Sequence, residues 1–287
     1  MNLAPSLTQG MVTLDAAALA PFPRIARYNS PYTAHREGRA IDLYPGTDHA
    51  PSPVSGTVVE TRTMKAPSRP YAAENDHLIV IDVGSHLARI LHVNPGVEPN
   101  ETVERGDSLG SLVRSGYFAP WVDNHIHLGF REHGTDPVRA SGSLPVDLDV
   151  PIDGVSWDGT GTVREVGETY AILDAPVHPD PGERFVGIAD DTGQVVFDGG
   201  VPHYETGGVH PIDGAHSAPT DSTLLGTTLG SGNGTVTWAD VAIIANGDEI
   251  TGLSFLLERD GLGAKLICPN VTFDRGEQVT VEIEALS

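Results

Sequence analysis

Three features of the 287-residue sequence predict an all-β fold. The 33 glycines and 22 prolines supply many turns and leave little room for long helices. The apolar runs between them have strand length, and turn signals such as Asn94-Pro95-Gly96 and Arg105-Gly106-Asp107 separate one run from the next. Hydrophobic residues make up 39 % of the chain, enough for a folded protein with one large or two ordinary β-domains.

In chain order, residues 1–24 read as a leader with one short segment at 11–19, ended by Pro21 and Pro23. Strands are expected at 40–44, 56–61, 77–83, 87–92, 108–113 and 126–130, in a barrel-like, antiparallel domain spanning 25–150. The Pro- and Asp-spaced text at 144–152 reads as a linker. A second, sandwich-like β-domain is expected over 151–287, with strands at 161–166, 170–173, 184–189, 194–197, 235–245, 253–258, 265–267 and 278–285. The last of these alternates with the period of two that a half-buried strand requires. Between 201 and 234 the Gly-, Ser-, Thr- and His-rich text reads as loops.

The formal net charge is −22. Such a surface repels phosphate backbones and anionic lipid, so neither nucleic acid nor membrane is expected as a partner. Lys65 and Lys265 are the only lysines, and an acidic excess carried almost without lysine fits a protein of high-salt cytoplasm, where screening relieves self-repulsion. Residues 1–20 have no basic start followed by an apolar run, so a cytoplasmic location is expected. Cys268 is the single cysteine, which excludes an intrachain disulfide and a cysteine zinc cluster; it reads as a packing residue.

Chemistry is concentrated in the first half. In Asn124-His125-Ile126-His127-Leu128-Gly129-Phe130, residues two apart share a strand face, so His125 and His127 project together while Ile126 and Leu128 face inward. A solvated pair on a sheet surface has the same spacing. Asp42 sits inside the apolar run Ala40-Ile41-Asp42-Leu43-Tyr44, downstream of His35, and burying it requires a partner or a cation. His92 ends another apolar strand. Together these residues contain two histidines and one carboxylate, the make-up of a catalytic zinc site with a position left for water, and two more histidines for proton transfer. His49, His77 and His86 read as surface residues, and His178, His203, His210 and His216 as members of solvated loops.

Five segments in fixed order make residues 28–148 similar to the lysostaphin-type murein endopeptidase family, whose fold is a duplicated hybrid motif barrel. They are Gly38-Arg39-Ala40-Ile41-Asp42, Pro53-Val54-Ser55-Gly56-Thr57-Val58, Ala88-Arg89-Ile90-Leu91-His92, Val103-Glu104-Arg105-Gly106-Asp107-Ser108-Leu109-Gly110, and His125-Ile126-His127-Leu128-Gly129-Phe130-Arg131. The resemblance implies a zinc metallopeptidase acting on a peptide or peptide-like substrate. It implies Asp42 and His127 as zinc ligands, His125 as general base, and His92 as a group that stabilises the oxyanion. The family's first ligand lies four residues before the aspartate, where this chain has Gly38; His35 fills the role if the preceding loop is three residues longer, and Glu37 is the alternative. A catalytically inactive binding or structural module on the same scaffold is the competing reading. Two others are weaker: the glucose-type phosphotransfer domains lack the closing His-x-His, and the carrier-like Thr63-Met64-Lys65-Ala66 sits in text that reads as a loop.

Overall fold

The structure, a computed structural model, describes residues 10–212 and 220–286. The chain is all-β, with a curled half-barrel sheet and a second β-domain. The first half contains β1 (Val12–Asp15), α1 (Ala16–Leu19), β2 (Arg24–Ala26), α2 (Thr33–Arg36), β3 (Ala40–Tyr44), β4 (His49–Pro51), β5 (Gly56–Lys65) and β6 (Asn75–Asp82). It continues through β7 (Leu87–Leu91), β8 (Val93–Pro95), β9 (Thr102–Val103), β10 (Ser108–Leu112), β11 (Ile126–Arg131) and β12 (Val146–Asp149). The segment read as a leader is tied down where it is described: β1 pairs in parallel with β12, and Ala18 and Leu19 of α1 are buried.

The second half carries β13 (Ile152–Val155), β14 (Thr160–Val166), β15 (Tyr170–Leu173), β16 (Phe185–Ile188), β17 (Val195–Val201), β18 (Thr206–Pro211), β19 (Asp221–Leu224) and β20 (Thr227–Asn233). After these come β21 (Thr235–Trp238), β22 (Val241–Ala245), β23 (Asp248–Ile250), β24 (Gly252–Phe255), β25 (Leu257–Glu258), β26 (Lys265–Ile267) and β27 (Gln278–Ala285). One ten-stranded sheet has the order β13-β16-β25-β2-β3-β11-β7-β6-β5-β9, so three strands from beyond residue 150 extend it. A twelve-stranded sheet, β19-β20-β21-β18-β17-β24-β26-β15-β14-β27-β22-β23, forms most of the second half. The pairings are antiparallel except β1 with β12 and β13 with β16.

Two large apolar cores underlie these sheets. Ile41, Leu43, Ile79, Ile81, Ile90, Ile126 and Leu128 belong to the first; Phe197, Val209, Leu229, Val236, Ile243 and Leu266 belong to the second. Fully burying a side chain of this size contributes about 1.5–3 kcal/mol, so these alternating positions dominate the packing energy.

Two expectations are corrected here. The 201–234 text forms strands as well as turns, because β18, β19 and β20 fall within it. Its glycines are selected by close packing as well as by turns: a Cβ on Gly208 would run into the Tyr28 ring. Thr63, Met64 and Lys65 lie in β5, paired with His77, Asp76 and Asn75, rather than in a loop. No helix among the described residues is long and apolar enough to cross a membrane.

Candidate metal centre

The site is assembled on the central strands of the first sheet. In the antiparallel pair β3–β11, His127 lies directly opposite Asp42, so the register alone makes these two side chains neighbours. His35 arrives from α2, a single helical turn. That turn ends at Gly38, whose φ of +63° is left-handed and whose N–H donates to the His35 carbonyl. A helix rises about 1.5 Å per residue against about 3.3 Å in a strand, so the three extra residues between ligand and aspartate are absorbed in a compact turn. Glu37 points elsewhere and pairs with Arg39 Nε at 2.9 Å. The group of side chains that could hold a metal contains His35 and not Glu37.

His35 Nε2 lies 3.0 Å from His127 Nδ1 and 3.2 Å from Asp42 Oδ1, and His127 Nδ1 lies 3.0 Å from Asp42 Oδ1. Tetrahedral zinc with bonds of 2.0–2.1 Å separates its ligand atoms by roughly 3.3–3.4 Å, close to this triangle. The hydrogen bonds behind the triangle point the same way. His35 Nδ1 donates to the Arg27 carbonyl at 2.8 Å, which leaves Nε2 with its lone pair facing a second imidazole nitrogen and a carboxylate oxygen. Three electron-rich atoms turned on one another in a buried place repel unless a proton or a cation sits among them. The donor set of two imidazoles and one carboxylate therefore fits a divalent metal, and His35, Asp42 and His127 could hold one.

Electrostatics around the triangle follow from burial. His127 is pushed down to about 3 by burial and by the neighbouring His35 and His92, against the pull of Asp42, so its ring is neutral and available as a ligand. For His35, burial favours the neutral ring but Asp42 and the Arg27 carbonyl outweigh it, and its pKa is raised. Burial opposes ionisation of Asp42 as well; His125 and His35 overcome it and hold the carboxyl well below its ordinary value.

The two remaining histidines flank the triangle. His125 Nδ1 donates to the Asp123 carbonyl at 2.8 Å, its ring stacks on Phe118 at 4.3 Å between centroids, and its Nε2 lies 3.4 Å from Asp42 Oδ2. His92 stands at the end of β7 with φ of +69°, a conformation that costs a non-glycine residue energy and recurs at functional sites. Its Nδ1 is 2.7 Å from Asp76 Oδ2, and burial lowers its pKa despite that carboxylate. The five residues line a cleft of about 440 Å³, with Tyr32, Tyr117, Phe118 and Tyr204 on its walls.

Sequence reading missed Asp76. It is the second residue of β6, is fully buried, and accepts hydrogen bonds from His92, the Ser115 hydroxyl and the His77 N–H, each at 2.7 Å. Its text, Asn75-Asp76-His77, carries no periodic signal, because its partner lies 16 residues away across a strand pair. Of the other histidines, His49, His77 and His86 lie outside the site, in partly or fully exposed positions. His178 and His210 are buried rather than solvated: His178 Nε2 lies 3.2 Å from the Arg184 carbonyl and His210 Nε2 2.9 Å from Asp198 Oδ2. His203 stands beside Trp121, and burial lowers it to about 4. His216 lies outside the described residues. Cys268 is buried, which pushes its thiol up to about 11.

Among solved structures, the SpoIIQ–SpoIIIAH pore-forming complex is similar at 18% identity over 39% of this chain and 66% of that one, just under two thirds, with a TM-score of 0.23. The solution structure of lysostaphin is similar at 12% identity over 92% of this chain and 88% of that one, with a TM-score of 0.28. With TM-scores this low, the chemistry is read from the side chains alone. No curated protein matches the sequence. Residues 13–148 match the N-terminal domain, and residues 153–284 the C-terminal domain, of the family described as a domain of unknown function, DUF8155. Domain by domain, the chain belongs to the DUF8155 family.

Proposed function

We propose that the protein is a zinc-dependent hydrolase of peptide or related amide bonds, with His35, Asp42 and His127 as the metal ligands. The observation that carries this reading is the triangle of donor atoms 3.0–3.2 Å apart at the base of a cleft. The sequence likeness of residues 28–148 to lysostaphin-type endopeptidases supports it. Zinc at such a site supplies Lewis acidity and lowers the pKa of water to about 7.

The chain's own groups would do the rest. His125, its Nδ1–H engaged by the Asp123 carbonyl, offers Nε2 as the proton acceptor. His92 donates its Nδ1–H to Asp76, which fixes its tautomer and partly offsets the burial that disfavours an imidazolium; protonated at Nε2, it would donate to a developing oxyanion or a leaving amine. Phe118, buried against the rings of His92 and His125, would keep water from that side of the two histidines.

The test is metal analysis of untagged protein purified without chelator, followed by digestion of a peptide library. About one zinc per chain is expected, with cleavage lost in His125→Ala by a factor of about 10²–10⁴. Zinc-loaded protein that cleaves nothing would identify a binding module on the same scaffold. Protein that takes up no zinc would overturn the reading altogether.

A further inference from the structure

One route from the second half of the chain to the metal triangle runs through Arg27. Both main-chain polar groups of Arg27 are engaged: its carbonyl accepts from His35 Nδ1 at 2.8 Å, and its N–H donates to Asp198 Oδ2 at 2.7 Å. Asp198 belongs to β17 of the second sheet and is fully buried. The same Oδ2 receives His210 Nε2 at 2.9 Å, while Oδ1 has no hydrogen-bond partner among the described residues. A buried carboxylate with one bare oxygen is an expensive way to hold two domains together. Apolar contact would do that at lower cost.

The second half also grips α2, the helix that carries His35. Thr235 Oγ1 at the start of β21 donates to the Arg36 carbonyl at 2.8 Å, and Glu205 stands 3.6 Å from the Arg36 guanidinium. Two independent contacts from one domain thus converge on the single ligand that is not fixed by the β3–β11 register. Asp42 and His127 face each other by strand pairing; His35 has no such constraint.

We propose that the second domain completes the metal centre: Asp198, backed by His210 and acting through the main chain of Arg27, is a positioning residue for His35, and Thr235 assists by holding α2. This rests on the reading of His35, Asp42 and His127 as metal ligands. The anchored Arg27 N–H restrains the backbone on one side of the residue whose carbonyl orients the His35 ring and its tautomer. Asp198 stands behind Arg27, outside both the ligand triangle and the lining of the cleft.

The experiment is a zinc titration of metal-free, full-length protein against a chromophoric chelator, with near-UV circular dichroism to establish folding. Asp198→Ala should weaken zinc binding by about 10–100-fold. Asp198→Asn keeps an oxygen for the Arg27 N–H and should stay near wild type. Asp190 is the control for a merely structural loss, because it is a buried carboxylate of the same domain whose partners Thr192, Gln194 and Val195 are all local. Asp190→Ala should lower thermal stability and leave zinc affinity unchanged. Should Asp198→Ala fail to fold, Thr235→Val carries the test, with severalfold weaker binding expected. Wild-type affinity in folded Asp198→Ala, or in Thr235→Val if that variant must serve, overturns the positioning role while leaving the metal reading intact. A wild-type protein that binds no zinc overturns both.

Discussion

Replacing Asp76 tests whether His92 is held by a buried charge. Three donors converge on this carboxylate, two on Oδ2 and one on Oδ1, each at 2.7 Å. Ser115 is fully buried and His92 nearly so; truncation to alanine therefore strands both of their donors away from water. A hydrogen bond to a charged group contributes about 1.5–3 kcal/mol, so Asp76→Ala should cost roughly 3–5 kcal/mol at pH 7. Asp76→Asn keeps an oxygen for His92 and Ser115 but turns an amide N–H toward that of His77, which should cost roughly 1–3 kcal/mol. The loss should depend on pH. Burial works against ionisation of Asp76, but the bonds from His92, Ser115 and His77 outweigh it and hold its carboxyl below the ordinary value. A depressed folded-state pKa gives stability that is fully present above the unfolded value, about 3.9, and is lost as pH falls through the folded value. The gap between wild type and Asp76→Asn should therefore be widest near neutrality and shrink below about pH 4. Urea denaturation followed by near-UV circular dichroism at pH 7 and pH 3 measures it. An alanine variant as stable as wild type at pH 7, or a gap that stays constant to pH 3, would refute the reasoning.

Other expectations follow from single contacts. His35→Ala should reduce zinc content from about one per chain to near zero, whereas Glu37→Ala should leave it unchanged, as elemental analysis of the two purified variants would show. Gly208→Ala forces a methyl into the Tyr28 ring and should destabilise by about 1–3 kcal/mol in urea unfolding. Lys65→Ala, at the exposed end of β5 with its ammonium 3.6 Å from Glu74, should change stability by no more than about 0.5 kcal/mol in the same assay.

Strand periodicity made most of the first sheet legible. Ala40–Tyr44 was expected and found residue for residue, as was Gln278–Ala285, because alternation or continuous apolar character over strand length leaves few other ways to bury those side chains. Strands with glycine where apolar residues usually stand escaped that reasoning. The β18 text Thr-Gly-Gly-Val-His-Pro has a strand's geometry, but its reason for being glycine-rich is the Tyr28 and Trp238 rings packed against it from elsewhere in the chain. The run from Thr235 to Ala245 also reads as one strand and is two, broken at Ala239-Asp240.

The sequence by itself determined the all-β class, since the period of two is a local property, and its family resemblance singled out Asp42, His92, His125 and His127, with either His35 or Glu37, as candidate site residues. Only the tertiary structure decided which of His35 and Glu37 turns inward, because that depends on a helical turn ending at Gly38 and on a carbonyl of Arg27 waiting for an imidazole N–H. It alone revealed Asp76 behind His92 and Asp198 behind Arg27. Each of these carboxylates meets its partner across a gap in the chain, 16 residues in one case and 171 in the other. Pairings of that range are set by sheet order and register, which no local pattern of residues encodes.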